Sequence, residues 1–332
     1  MNELQSDMKN FEEEYYQISA DILQSFPKFR LPLNLYHFKE ESASLVPYYY
    51  ADERLSKEKQ AELYEFCENG IIFVARSDHH IYAKHISRQL DLVLVDSHLK
   101  AREIALIFRH ALTDDIINFF DQPVKPAFEK LKHSIEIFTE YIFEDKYRIK
   151  NFYSRLHPDY SLEKAAFNAG ILGTSIYMQM QSDIKKKYLD QAALGFFIYD
   201  LGMAKIPKFI REKKQNLTPQ EQQKFFEHPN KGTEILQKFG TTETLTIGSL
   251  LEHHERLDGS GTPRGLKGAE ISISGRIAGV VDTFIELTLA GKQHLHTAAQ
   301  ATNIINSNPS KFDSKVTGTM QNIMLLPVFN KT

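Results

Sequence analysis

The sequence has a single cysteine, Cys67, in 332 residues, and no tryptophan. A lone thiol excludes an intrachain disulfide, and with it the small loop-rich folds that bridges hold together. No run approaches the roughly 18 consecutive apolar residues needed to span a bilayer. The opening "MNELQSDMKNFEEEYYQISADIL" is acidic and lacks the basic-then-apolar order of a secretory leader, so a cytoplasmic protein is expected. An excess of positive charge is missing too: 40 lysines and arginines face 43 aspartates and glutamates, a formal net charge of -3. Neither a nucleic acid duplex nor an anionic membrane is therefore expected as a partner. What remains is a globular composition, 42% hydrophobic and 25% charged, long enough for one large or two ordinary domains.

Two apolar runs rich in β-branched residues, "GIIFVAR" (70–76) and "LDLVLVD" (90–96), predict strands. Between the turn residues around them, "LSKEKQAELYEFCENG" (55–70) predicts a helix closed by Gly70. Residues 1–125 are thus expected to form a small α+β accessory or sensory domain. Its histidine doublet, His79-His80 in "RSDHHIYAKH", is expected at a turn between strands, because no acidic or glycine framework follows it. From Ser97 onward the pattern is helical. A connecting helix is expected over 126–150, where Phe128, Leu131, Ile135, Phe138 and Ile142 form an apolar seam. The seam predicts internal packing or a contact between two copies of the chain. Residues 151–330 alternate amphipathic stretches with short loops and predict an all-α domain, so the fold class is mainly α.

Potential metal ligands in the helical part are Asp200 in "FFIYDLGMAKIP", His228 in "FFEHPNKG", the adjacent His253 and His254, and Asp282 in "RIAGVVDTFIEL". Imidazoles mixed with carboxylates suit iron, manganese or zinc better than calcium or magnesium. A carboxylate such as Asp200 can bridge two cations, and paired cations neutralise charge during phosphoryl transfer. Spacing alone leaves plainer readings standing, with Asp200 as a helix cap and Asp282 as a hydrogen-bonded core acid. His294 and His296 in "KQHLHTA" read as surface residues.

The stretch "HHERLDGSGTPRGLKGAEI", followed by "RIAGVVDTF", closely resembles the HD-GYP signature HHExxDGxGYPxGLxGxxI and RIxxxxDxF. Upstream, "DLGMAKIP" and "LTPQEQQKFFEHPNKGTEIL" resemble two further elements of that family, and "SKFDSKV" resembles its ending; the likeness covers roughly residues 155–320. It implies a helical metallophosphodiesterase of the HD superfamily that acts on cyclic di-GMP through a two- or three-metal centre, often iron. The paired histidines would end a helix and face the metals, with the glycines letting the following loop pass close by. Glu255 and Asp258 would anchor that loop.

Several positions depart from the family. Tyr199 stands for the histidine of the name-giving His-Asp pair, Phe167 for an earlier metal histidine, Met203 for a lysine and Thr262 for the GYP tyrosine. Gly291 and His294 stand where arginines are common. The resemblance then implies one metal on Asp200, His228, His253 and His254. A second would keep the carboxylates of Asp200 and Asp282, with Glu163 as a further carboxylate where metal-binding members place a glutamate. Tyr199 would be a phenolate ligand of that second ion, or merely fill space. Lys205, Thr262 and Arg264 are the implied substrate contacts, with Lys208, Arg211 and Lys267 as further basic candidates; Arg276 is expected to pair structurally. The implied function is a cyclic di-GMP phosphodiesterase of weak or altered activity, with a weakened second metal position. The alternatives are an inactive metal-containing receptor for a cyclic dinucleotide or a signalling protein partner, and a phosphohydrolase acting on another phosphoester. A homodimer is compatible with the seam.

Overall fold

The computed structural model describes residues 14–42, 44–86, 89–95, 98–213, 217–290 and 295–329. Contacts between Cα atoms divide the chain into two compact units, Met1–Ala111 and Leu112–Thr332. Among the described residues no helix is long and apolar enough to cross a membrane.

The first unit holds a four-stranded antiparallel sheet of order β1-β4-β2-β3, with β1 at Tyr15–Gln17, β2 at Leu35–Lys39, β3 at Ser44–Tyr49 and β4 at Ile72–Ala75. Inner strand β4 is the run expected from "GIIFVAR", and Ile72 and Val74 are fully buried. Pro47 lies in β3, an edge strand, where its missing N–H costs no ladder bond. The helix expected from residue 55 spans Lys57–Glu68, capped by the Ser56 hydroxyl, which accepts from the Lys59 N–H at 3.2 Å. Cys67, on its inner face, donates to the Ile18 carbonyl, and burial pushes its thiol up to about 12.

Two expectations for this unit are corrected. Residues 90–95 do not form the expected strand: Leu92–Val95 is one helical turn, closed by bonds from the Val93 and Leu94 N–H groups to Leu90 and Asp91. Leu90 and Val93 are buried while Leu94 is 40% exposed, an i,i+3 pattern rather than alternation. So short an apolar run has no period of its own to separate the two states. His79 is not in a turn between strands either. After a tight turn at Arg76–Asp78 it opens the helix His79–Ile86, buried beside Tyr16 and Tyr82.

In the second unit the apolar seam lies on the helix Lys125–Glu144, and all five seam residues are buried within the chain. Phe138 meets Phe152 and Phe197 edge-on at 5.1 and 5.6 Å. The seam is therefore internal packing. Each buried phenylalanine contributes about 1.5–3 kcal/mol of apolar burial. At the centre stands the helix Leu162–Met180, started by the Ser161 hydroxyl on the Lys164 N–H and buried continuously from Ala165 to Tyr177. A helix apolar all round belongs in a core. Against it pack the helices Lys186–Ile198 and Ile273–Ile285, and these in turn meet Thr244–Glu252. The helix His228–Lys238 lies against the tight turn Leu201–Lys205. The ends of these elements converge on one place.

Candidate metal centre

Asp200 follows the helix Lys186–Ile198, His228 is the first residue of its helix, and His253 and His254 follow Glu252 where another helix ends. Neighbours along a continuing helix point about 100° apart. Here the helix stops, and the two rings come to 4.1 Å between centroids. One ligand atom from each of His228, His253 and His254 lies within 4.8 Å of the others. His228 Nε2 is 3.0 Å from His253 Nε2 and 3.3 Å from Asp200 Oδ1. Asp282, inside the helix Ile273–Ile285, places Oδ2 3.7 Å from His254 Nδ1. Five dispersed residues thus meet.

The hydrogen bonds on the far side of the rings say what the near side offers. His228 Nδ1 donates to the Phe225 carbonyl at 2.7 Å, and His253 Nδ1 to the Leu250 carbonyl at 2.8 Å. Each Nε2 then carries a lone pair, and the two lone pairs face one another. A direct hydrogen bond between them would require an imidazolium. Burial, followed by the neighbouring His253, pushes His228 down to about 3; burial, followed by His254, pushes His253 well below the ordinary histidine range. Burial and then His228 push His254 down to about 3. Neutral imidazoles aimed at one another suit a shared cation, since donors each about 2 Å from one ion lie about 3 Å apart. The carbonyl partners fix tautomer and ring orientation as metal sites require. The donor set therefore fits a transition-metal ion.

Two close approaches make this assembly possible. A Cβ on Gly202 would lie 1.7 Å from the His228 carbonyl oxygen, so only glycine lets the Asp200 turn press against the His228 helix. A Cβ on Gly261 would lie 2.4 Å from the Arg256 nitrogen, where the glycine-rich loop folds back on the histidine pair. We expect Gly202→Ala to cost at least about 1–3 kcal/mol, the usual penalty of overpacking, and to weaken metal affinity by separating Asp200 from His228. Urea unfolding and a metal titration read the two effects.

The loop itself is tied by carboxylates. Glu255 accepts the Arg264 and Leu266 N–H groups at 2.7 and 3.0 Å, and Asp258 accepts the Ser260 N–H, as expected for anchors. Glu252 accepts from the Arg264 guanidinium at 2.7 Å and from the Ser272 N–H. Arg276 pairs with Asp313 at 2.9 Å.

A cleft of about 160 Å³ opens on the centre, lined among others by Tyr160, Tyr199, Asp200, His228, His254, Asp282 and Glu286. Its described lining includes no lysine or arginine. Of the implied substrate contacts, Lys205 is exposed at the end of its turn, Arg264 is paired with Glu252, and Thr262 is half-buried in the loop; none lines the cleft. Met203 does line it. Glu163 sits half-buried in the first turn of the central helix, outside the lining. Gly291 and His294 lie outside the described residues, as does the side chain of Lys208. The sequence reading missed Tyr160 and Glu286. Glu286 had a signal, since it follows Asp282 by four residues and so shares its helical face. Tyr160 had none. Burial, then Asp200 and Asp282, push the Tyr160 hydroxyl upward, and the charge of Arg211 opposes them.

Known proteins resemble the chain in this part. The HD domain family matches residues 154–316. A cyclic di-GMP phosphodiesterase of Thermotoga maritima is 32% identical over 191 residues, 54% of this chain and 50% of the relative. The 3'3'-cGAMP-specific phosphodiesterase 1 of Vibrio cholerae is 28% identical over 214 residues, 60% of this chain and 47% of the relative. The response regulator RpfG of Xanthomonas campestris, also a cyclic di-GMP phosphodiesterase, is 33% identical over 131 residues, 39% of this chain and 33% of the relative. The chain thus spans half or less of the length of these relatives. Among solved structures, the HDG"Y"P protein Bd1817 of Bdellovibrio bacteriovorus shares the fold, with a TM-score of 0.60 at 13% identity over 94% of this chain and 99% of that one. Residues 154–316 thus match the HD domain family, and the relatives of the chain are phosphodiesterases of cyclic dinucleotides.

Proposed function

We propose that the chain is a metal-dependent phosphodiesterase of the cyclic di-GMP class, slow because its metal centre is reduced. The observation that carries this reading is the pair of neutral imidazoles, His228 and His253, facing one another across 3.0 Å with Asp200 beside them. The ion proposed is iron, with manganese or zinc as substitutes, held by His228, His253, His254 and Asp200, while the neighbouring position offers only the carboxylates of Asp200 and Asp282. When bound, such a metal would polarise a phosphoryl oxygen and supply the positive charge that the described lining of the cleft lacks. The chain's own residues do the rest. Carbonyls 225 and 250 hold the imidazole tautomers, and Asp282 lies beside His254. Tyr160, 39% exposed at the cleft, offers a ring on which a base can stack. The charged groups of the described lining are the acids Asp200, Asp282 and Glu286, so a phosphodiester enters only when the metal is present. The names of the relatives make cyclic di-GMP and 3'3'-cGAMP the substrates to try first.

Protein loaded with ferrous iron or manganese is expected to convert cyclic di-GMP to the linear dinucleotide above the rate of a His254→Ala control, and a chelator should remove the difference. A second reading, a cyclic-dinucleotide receptor, follows from the second metal position, where Tyr199 and Phe167 stand in place of nitrogen donors. Binding by calorimetry with no linear product on chromatography would select it.

A further inference from the structure

Asp282 is turned two ways. Its Oδ2 faces His254, while its Oδ1 accepts a hydrogen bond from the Tyr199 hydroxyl at 3.0 Å. Tyr199 is 3% exposed, lines the same cleft, and stands edge-on to His253 at 5.1 Å. A carboxylate holds a further cation by presenting it a lone pair, and at Asp282 Oδ1 the phenolic proton competes for one. The ring also occupies space beside both carboxylates, in a cleft of only about 160 Å³.

We infer that Tyr199 closes the position next to the histidine-bound ion, its hydroxyl hydrogen bonding Asp282 Oδ1 where a second cation would sit, so that each chain holds one transition-metal ion. This inference rests on the metal reading above and sharpens it. Two cations a few Å apart clamp the attacking and leaving oxygens together, and a single ion cannot do both. Tyr199 is then a positioning residue that sets the nuclearity of the centre, not a ligand.

The test counts ions rather than turnover. Native protein, Tyr199→Phe and Tyr199→His are titrated with manganese and followed by elemental analysis, and the visible spectrum of the ferric form is recorded. Native protein should hold one ion per chain with no phenolate-to-iron absorption band. Tyr199→Phe keeps the ring and frees Asp282, so it should gain a weak second ion. Tyr199→His adds a nitrogen donor and should bind the second ion at least about tenfold more tightly than Tyr199→Phe, the scale of a change in a site's immediate support. Two ions in native protein, a phenolate band, or a count that stays at one in both variants overturns the inference. No ion in native protein overturns it together with the metal reading, a result distinguishable from the other three.

Discussion

Replacing His253 and His254 together with alanine is expected to leave the purified protein without bound metal and to lower phosphodiesterase turnover by at least about a hundredfold. Losing a residue that merely orients a ligand costs about 10–100-fold in affinity or activity, so loss of two ligands sets a floor at the upper end of that range. The variant should keep its helical circular dichroism, because the loop after the pair has its own anchors: Glu255 holds the Arg264 and Leu266 N–H groups, and Glu252 holds Arg264 and Ser272. Elemental analysis beside the native protein reads the first effect, and chromatography of linear dinucleotide reads the second. Metal retained at the native level in the double variant would show that the ion sits elsewhere.

Acid is expected to strike the same residues. His228 and His254 ionise in the folded protein only near about 3, against an ordinary value of about 6.5, and burial is the first cause for both. Between those values the unfolded chain binds protons that the folded one refuses, so stability falls as pH falls. The loss begins below about pH 6.5 and continues towards about pH 3. At pH 5 the linkage relation gives about 2 kcal/mol for each of the two residues, roughly 4 kcal/mol together. A domain has about 5–15 kcal/mol in all, so the urea midpoint of metal-free protein should fall steeply between pH 7.5 and 5. His228→Gln should flatten that fall. Metal should leave in the same window, because its imidazole ligands must be deprotonated. A midpoint unchanged from pH 7.5 to 5 would mean that these rings are not held neutral.

How much of this was legible beforehand differs from residue to residue. The helical half announced itself by period: the Phe128–Ile142 seam is buried at all five positions. Short elements without a full period were not legible. Leu92–Val95 reads equally well as strand or helical turn, and strands β2 and β3 carry too mixed a pattern to stand out. At the site, no local rule joins Asp200 to His228, nor His254 to Asp282. Their convergence depends on which helix ends meet, and it was visible only through the resemblance of the surrounding motifs. The resemblance also showed the loss of a histidine at Tyr199, but not where the phenol would turn. That depends on the tertiary position of Asp282, 83 residues further along. Tyr160 belongs to no motif, and only the folded cleft reveals it.

The central claim is that three imidazoles from two helix ends share one metal ion. X-ray absorption at the metal edge of protein purified without an affinity metal tests it directly, because imidazole rings scatter in a pattern that can be counted. About three imidazoles per ion, with the remaining donors oxygen, is the result expected. A metal with no imidazole signature, or protein carrying no metal at all, would contradict it.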